Sequence, residues 1–197
     1  MATAYAVAAV GEAILALLAA ARPTPEFAGA QFELYQGRNF ATPMEEGICL
    51  YLHRITPGSN VRNLPPRVAT DGRRFRPSVP VDLHYLLIPW ARDAFKQHRL
   101  LGWAIRVLED TRVLHASLLN QHGPETDIFD PHESLDILME TLPIQDIGSI
   151  LDVAKPHIQP VVPYVVRMVP LNSDIELVEA DLVQTREFGM GKVMANP

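Results

Sequence analysis

At 197 residues, with 17 prolines, a single cysteine and a net charge of −6, the chain has the length of one domain with a sizeable core. Lone Cys49 excludes an intrachain disulfide, and its ordinary role is that of a small buried hydrophobe. The negative charge and the absence of a lysine-rich tail argue against nucleic acid as a main partner.

The first 21 residues, MATAYAVAAVGEAILALLAAA, are as apolar as a secretory leader but have no basic start. Val7, Val10, Ile14, Leu17 and Ala21 recur at spacings of three and four, which predicts an amphipathic helix ending near Arg22-Pro23. Glu12 would sit near the centre of any membrane span. We therefore expect no signal peptide and no membrane partner.

A loop follows, and Gln31 to Gln36 alternates as a strand. Ile48 to Ile55 is nearly continuously apolar and reads as a strand covered on both faces. Thr56 to Pro80 is rich in Pro, Gly, Asn and Arg, a long loop of the kind that is functional or disordered. Val81 to Ile88 is a third strand, stopped by Pro89. Asp93 is placed to cap a helix that runs to about Glu109. After a loop-rich stretch with one short helical turn, Ser134 to Leu142 reads as a fourth strand and Ile144 to Ala154 as a short helix. Val161 to Leu171 is a fifth strand, where Pro163 marks an edge or a bulge. The acidic segment after it has room for a further strand. The expected fold is α+β: a mixed sheet of about five strands packed by the N-terminal helix and two further helices. We expect residues 1–173 to form a single domain and 174–197 an acidic C-terminal extension.

Motifs for chemistry are missing. There is no HExxH, no paired Cys/His set, no GxSxG and no phosphate-binding glycine loop. Cys49 and His53, four apart on a strand, stand roughly 13 Å from each other, too far for a thiolate–imidazole pair. His115, His122 and His132 share a stretch with Asp127, Asp130 and Glu133, and polar loop residues in water account for them. We expect no catalytic residues, no metal and no cofactor.

Charge is unevenly distributed. Arg54 to Arg112 holds eleven basic and five acidic residues, and Glu125 to Glu187 three basic and thirteen acidic. Such polarity suits head-to-tail packing of copies. The most basic run is Arg62, Arg67, Arg73, Arg74 and Arg76. The stretch HRLLGWAIRVLED, His98 to Asp110, has a core stripe of Leu100, Leu101, Ala104, Ile105, Val107 and Leu108. It also places Gly102 in mid-helix, at a cost of about 1 kcal/mol, and Trp103 with Arg99 and Arg106 on another face. Trp and Arg are typical of binding hot spots. Arg99, Gly102, Trp103 and Arg106, with Arg67, Arg73, Arg74 and Arg76, are the candidate interface residues.

Four stretches, ICLYLHRITPGSNVRN, VDLHYLLIPWA, HRLLGWAIRVLEDTRVL and YVVRMVPLNS, resemble the tail-terminator, or tail-cap, proteins of extracellular contractile injection particles. The resemblance runs from about Val7 to Ser173, with nothing to quote from Ala28 to Gly47 or after Asp174. It implies a phage tail-terminator-like subunit in a homo-hexameric ring that ends the inner tube and anchors the last layer of contractile sheath. Its partners would be itself, the tube protein and the sheath protein. It implies no enzymatic activity, and cytoplasmic assembly into a particle that is later released or stays with the cell. The alternatives are a soluble intracellular protein-binding module, an uncharacterised hydrolase or nucleotide-binding enzyme, and a secreted or anchored module whose first 21 residues are a targeting segment.

Overall fold

The computed structural model describes residues 5–58, 64–69, 71–121, 127–143, 145, 146, 148 and 160–177. Helix α1 (Ala6–Ala21) is followed by β1 (Gln31–Tyr35), a 3-10 turn (Gly37–Ala41) and β2 (Gly47–Pro57). Short strands β3 (Arg67–Val68) and β4 (Arg74–Phe75) precede β5 (Val79–Trp90) and α2 (Ala94–Asp110). Then come β6 (Val113–His115), α3 (Ala116–Leu119), β7 (Ser134–Met139) and β8 (Val162–Leu171). Among the described residues no helix is long and apolar enough to cross a membrane.

Six strands make one mixed sheet in the order β1-β2-β5-β8-β7-β6. The β1–β2 pair is parallel and the others antiparallel. The sheet thus has one strand more than expected, because three-residue β6 is too short to announce itself by alternation. The expected helix Ile144 to Ala154 lies largely outside the described residues.

The helices share one face of the sheet. Val10, Ile14 and Leu18 of α1 and Leu100, Ala104 and Leu108 of α2 pack with Leu50, Leu83, Tyr85, Tyr164 and Val166 in one core. Of the predicted α1 stripe, Val10 and Ile14 are buried, Val7 and Leu17 half-buried, and Ala21 exposed. Gly11 lets β1 come close, since a Cβ there would stand 2.9 Å from a Leu34 methyl. On the opposite face a smaller cluster of Tyr35, Phe40, Cys49, Leu86, Ile88 and Trp90 is closed by the turn after β1. Asp93 caps α2 as expected, accepting the Lys96 amide at 2.8 Å.

The prolines sit where a ladder donor is not needed. A strand residue's N and C=O point to the same side. The Pro80 carbonyl accepts from Gly58 N at 2.9 Å, so its nitrogen faces the last turn of β2. The Pro163 carbonyl accepts from Glu140 N, so its nitrogen faces β7 just where that strand ends. Pro163 therefore lies at the start of an inner strand, not on an edge. The bulge is farther on, where Arg167 and Met168 together oppose Asp82. Met168 has φ 58, and its N–H is held by Asp82 Oδ1 at 2.9 Å. Pro89 likewise does not stop its strand, which runs on to Trp90. Its carbonyl is taken by the Gln97 side chain at 3.1 Å, on the side away from β2.

Candidate functional site

The α2 residues separate on inspection. Trp103 is half-buried, with its ring 6.1 Å from that of Phe27 and 6.0 Å from that of Phe32. Its own chain therefore accounts for the indole, which pins the loop after α1 and β1 to the helix. Gly102 is different: it is exposed, and a Cβ added there meets nothing within 4 Å. Arg99 reaches Glu26 at 2.8 Å and lies 5.7 Å over the ring of Phe95, which is 73% exposed. Arg106 is bound to Asp110 one turn on, and that contact holds the Asp110 carboxyl below its usual range. Phe95, Arg99, Gly102 and Arg106, spaced four, three and four, thus form one outward ridge with a notch at the glycine.

Arg62 lies outside the described residues, and the other arginines of this stretch belong to ordered structure. Arg67 and Phe75, and Val68 and Arg74, pair as a hairpin, with Gly72 at φ +84 in its turn. Asp71 accepts from Arg73 N at 3.1 Å and Nε at 2.7 Å, and these bonds depress its pKa. Phe75 is buried beneath two guanidinium groups, Arg67 at 4.4 Å and Arg73 at 5.5 Å from the ring centre. Arg74 and Arg76 are exposed. The hairpin is also bound from outside, by Ser173 and residues 175–177, which follow β8. Arg67 donates to the Ser173 carbonyl at 3.3 Å, and Phe75 bridges to Glu176. The eight predicted residues thus fall into two groups, four on α2 and four on the hairpin.

Sequence reasoning missed a polar group on the sheet face opposite the helices. His84, 6% exposed, places Nδ1 2.8 Å from Glu140 Oε2 and Nε2 2.9 Å from Thr56 Oγ1. Arg54 lies 3.8 Å from the same carboxylate. His53 stands beside them, rings 6.2 Å apart, with its Nε2 buried and unpartnered. Burial first, then the charges of Arg54 and His84, pull the His53 pKa down. The available signal was two histidines inside apolar strands. The group ties β2 and β5 to the end of β7. Nearby, Trp90 Nε1 donates to Cys49 Sγ at 3.2 Å, and burial pushes the thiol pKa up to about 12.

An open groove is lined by Gly29, Gln31, Glu45, Glu46, Arg92 and Lys96, but its charges cancel within the chain. Arg92 meets Glu45 at 2.5 Å and Lys96 meets Glu46 at 2.6 Å. In the acidic stretch, Asp130 and Glu133 close a turn on each other's amides, both at 2.8 Å. His122 lies outside the described residues. Among the described residues no three His, Cys, Asp or Glu side chains gather as a ligand set.

What the arrangement offers is surfaces: a helix ridge, a basic hairpin and the outer edges of β1 and β6, unpaired among the described residues. Comparison with solved structures agrees in fold. The sheath/tube terminator of the extracellular contractile injection system PVC, in its extended state, superposes with a TM-score of 0.65 at 12% identity over 96% of this chain. The tube-terminating cap of the anti-feeding prophage superposes with a TM-score of 0.60 at 15% identity over 90% of it. The chain spans 65% and 60% of the length of those two proteins. A search of curated proteins gives no match. A family model described as the Pvc16 N-terminal domain matches residues 9–185, a span that takes in the stretch 28–47 where no motif was quoted. With most of its length matched by that model, the chain belongs to the Pvc16 N-terminal domain family.

Proposed function

We propose that the chain is the tail terminator of a contractile phage-tail-like injection particle. Copies form a closed ring, taken as a hexamer, that ends the inner tube and anchors the last sheath layer. The observation that carries this reading is the likeness, over 96% of the chain, to a subunit that terminates both sheath and tube. The two solved proteins are a sheath/tube terminator and a tube-terminating cap, and on this reading the chain acts without turnover. Assembly takes place in the cytoplasm, before the finished particle leaves or stays with the cell.

Two features suit the role. The outer edges of β1 and β6 are unpaired among the described residues and can take a strand from sheath or neighbour. The ridge of Phe95, Arg99, Gly102 and Arg106 has the aromatic and arginine character of a contact surface, with a close approach open at Gly102. The hairpin arginines Arg67, Arg73, Arg74 and Arg76 form the second such surface.

The test is assembly. The purified chain is run by light scattering coupled to size exclusion, alone and with its particle's tube protein, and the peaks are imaged in negative stain. Rings, or tubes that stop growing when the chain is added, are expected. A monomer that leaves tube length and sheath unchanged refutes the reading.

A further inference from the structure

The residues after β8 do more than leave the sheet. Arg76 N donates to the Ile175 carbonyl at 3.0 Å and Leu177 N to the Arg74 carbonyl at 2.7 Å. Residues 175–177 therefore lie beside β4 as a third strand of the hairpin. The two sides match in charge: Glu176 pairs with Phe75, whose ring lies under Arg67 and Arg73. The Glu176 carboxylate contributes to holding Arg73 protonated, after Asp71. The pairing is short, one bridged residue flanked by two backbone bonds, and so small a patch is marginal alone.

We propose that the β4 edge is an acceptor for an acidic strand, filled within one chain by its own residues 174–177 and in the ring by those of a second copy. Exchanging an identical element between copies keeps every contact it made, so it is a low-cost route to association. Asn172 and Ser173, between the end of β8 and the segment, are the connection that would redirect. Ile55, Val68, Val79 and Ile175, at the end of the sheet that carries the hairpin, are exposed large hydrophobics. The segment leaves them wet within one chain, and a neighbour brought in by the exchange would cover them. Acidic strand of one copy into basic hairpin of the next is a heterologous contact, which closes a ring when the rotation closes. The inference rests on the ring reading above.

The experiment mixes two full-length variants. One carries Arg73→Glu, the other Glu176→Lys, the two charges that lie on one face of the pair. Each alone sets like charge against like charge, whereas in the mixture every hairpin finds a complementary strand in the other variant. In sedimentation velocity, a 1:1 mixture is expected to associate about ten-fold or more tightly than either variant alone. A mixture that sediments as the sum of its parts overturns the proposal. Should charge reversal unfold either chain, Arg76→Cys and Ile175→Cys, on facing residues of the pair, replace it. Each such chain has one new thiol, so a disulfide-linked heterodimer forms only across two copies, and its absence under oxidation overturns the proposal too. If mixing fails while the unaltered chain still rings and stops tubes, the exchange alone is wrong. If the unaltered chain does neither, the terminator reading falls with it.

Discussion

Gly102→Ala separates the two halves of the reading of α2. Gly102 is near the middle of the 17-residue helix, where glycine is about 1 kcal/mol less favourable than alanine. The added methyl meets no atom within 4 Å, so no clash offsets the gain. The free chain should become more stable by about 0.5–1 kcal/mol, a rise in Tm of about 1–4 °C for a domain of this size. Urea unfolding of both chains under one set of conditions measures it. A loss of stability would mean that the outer face of α2 is not open in the free chain. The same variant should cap tubes less well, because the methyl fills the notch between Arg99 and Arg106. A variant that is stabilised and caps normally would show that Gly102 serves no close approach.

Its neighbour should behave oppositely: Trp103→Ala removes two aromatic contacts and partial burial, and should cost about 2–3 kcal/mol in the same unfolding assay. Gly47→Ala should be worse tolerated, losing about 3 kcal/mol or more, since Gly47 has φ +150 and a Cβ there would sit 2.0 Å from the Gln31 carbonyl oxygen. A soluble variant with unchanged Tm would contradict the β1–β2 register. Cys49, buried and with its pKa raised to about 12, should resist a thiol reagent at pH 8 until the chain is unfolded; rapid labelling of the native chain would contradict its placement. His53 is held below its ordinary pKa in the folded chain, so the unfolded chain binds its proton first. Stability is then fully present above about pH 6.5 and falls as the pH drops through the depressed folded value. Tm measured from pH 7.5 to 5 should show the fall, and His53→Gln should make it shallower; an unchanged slope would remove His53 as its cause.

Much of the sheet was legible because burial is periodic. Leu83, Tyr85 and Leu87 alternate with Leu86 and Ile88, and since both sets are buried the run reads as continuous, as a strand covered on two sides must. The cap of α2 was legible because Asp93 stands directly before the first helical residue. Pro163 and Pro89 misled for one reason. A proline forbids only a donor, and the composition of a strand does not reveal which of its residues turn their nitrogens toward a neighbour. β6 and the hairpin strands were hidden by length: two or three residues carry no period.

The candidate surface was legible in type and not in grouping. Both Trp103 and Gly102 are anomalous for a helix, and sequence alone gives them one explanation. The fold gives them two, because Phe27 and Phe32, more than seventy positions away, reach Trp103 and nothing reaches Gly102. The arginine run read as part of one long loop because its organiser, Phe75, is one residue, and its second support, Ser173 to Leu177, arrives from the far side of β8. The histidines of β2 and β5 looked like isolated polar residues until Glu140 was brought beside them from β7. In each case the missing information was a contact between distant positions. On the proposed terminator reading, such contacts decide which residues are already spent on the fold and which are left to bind.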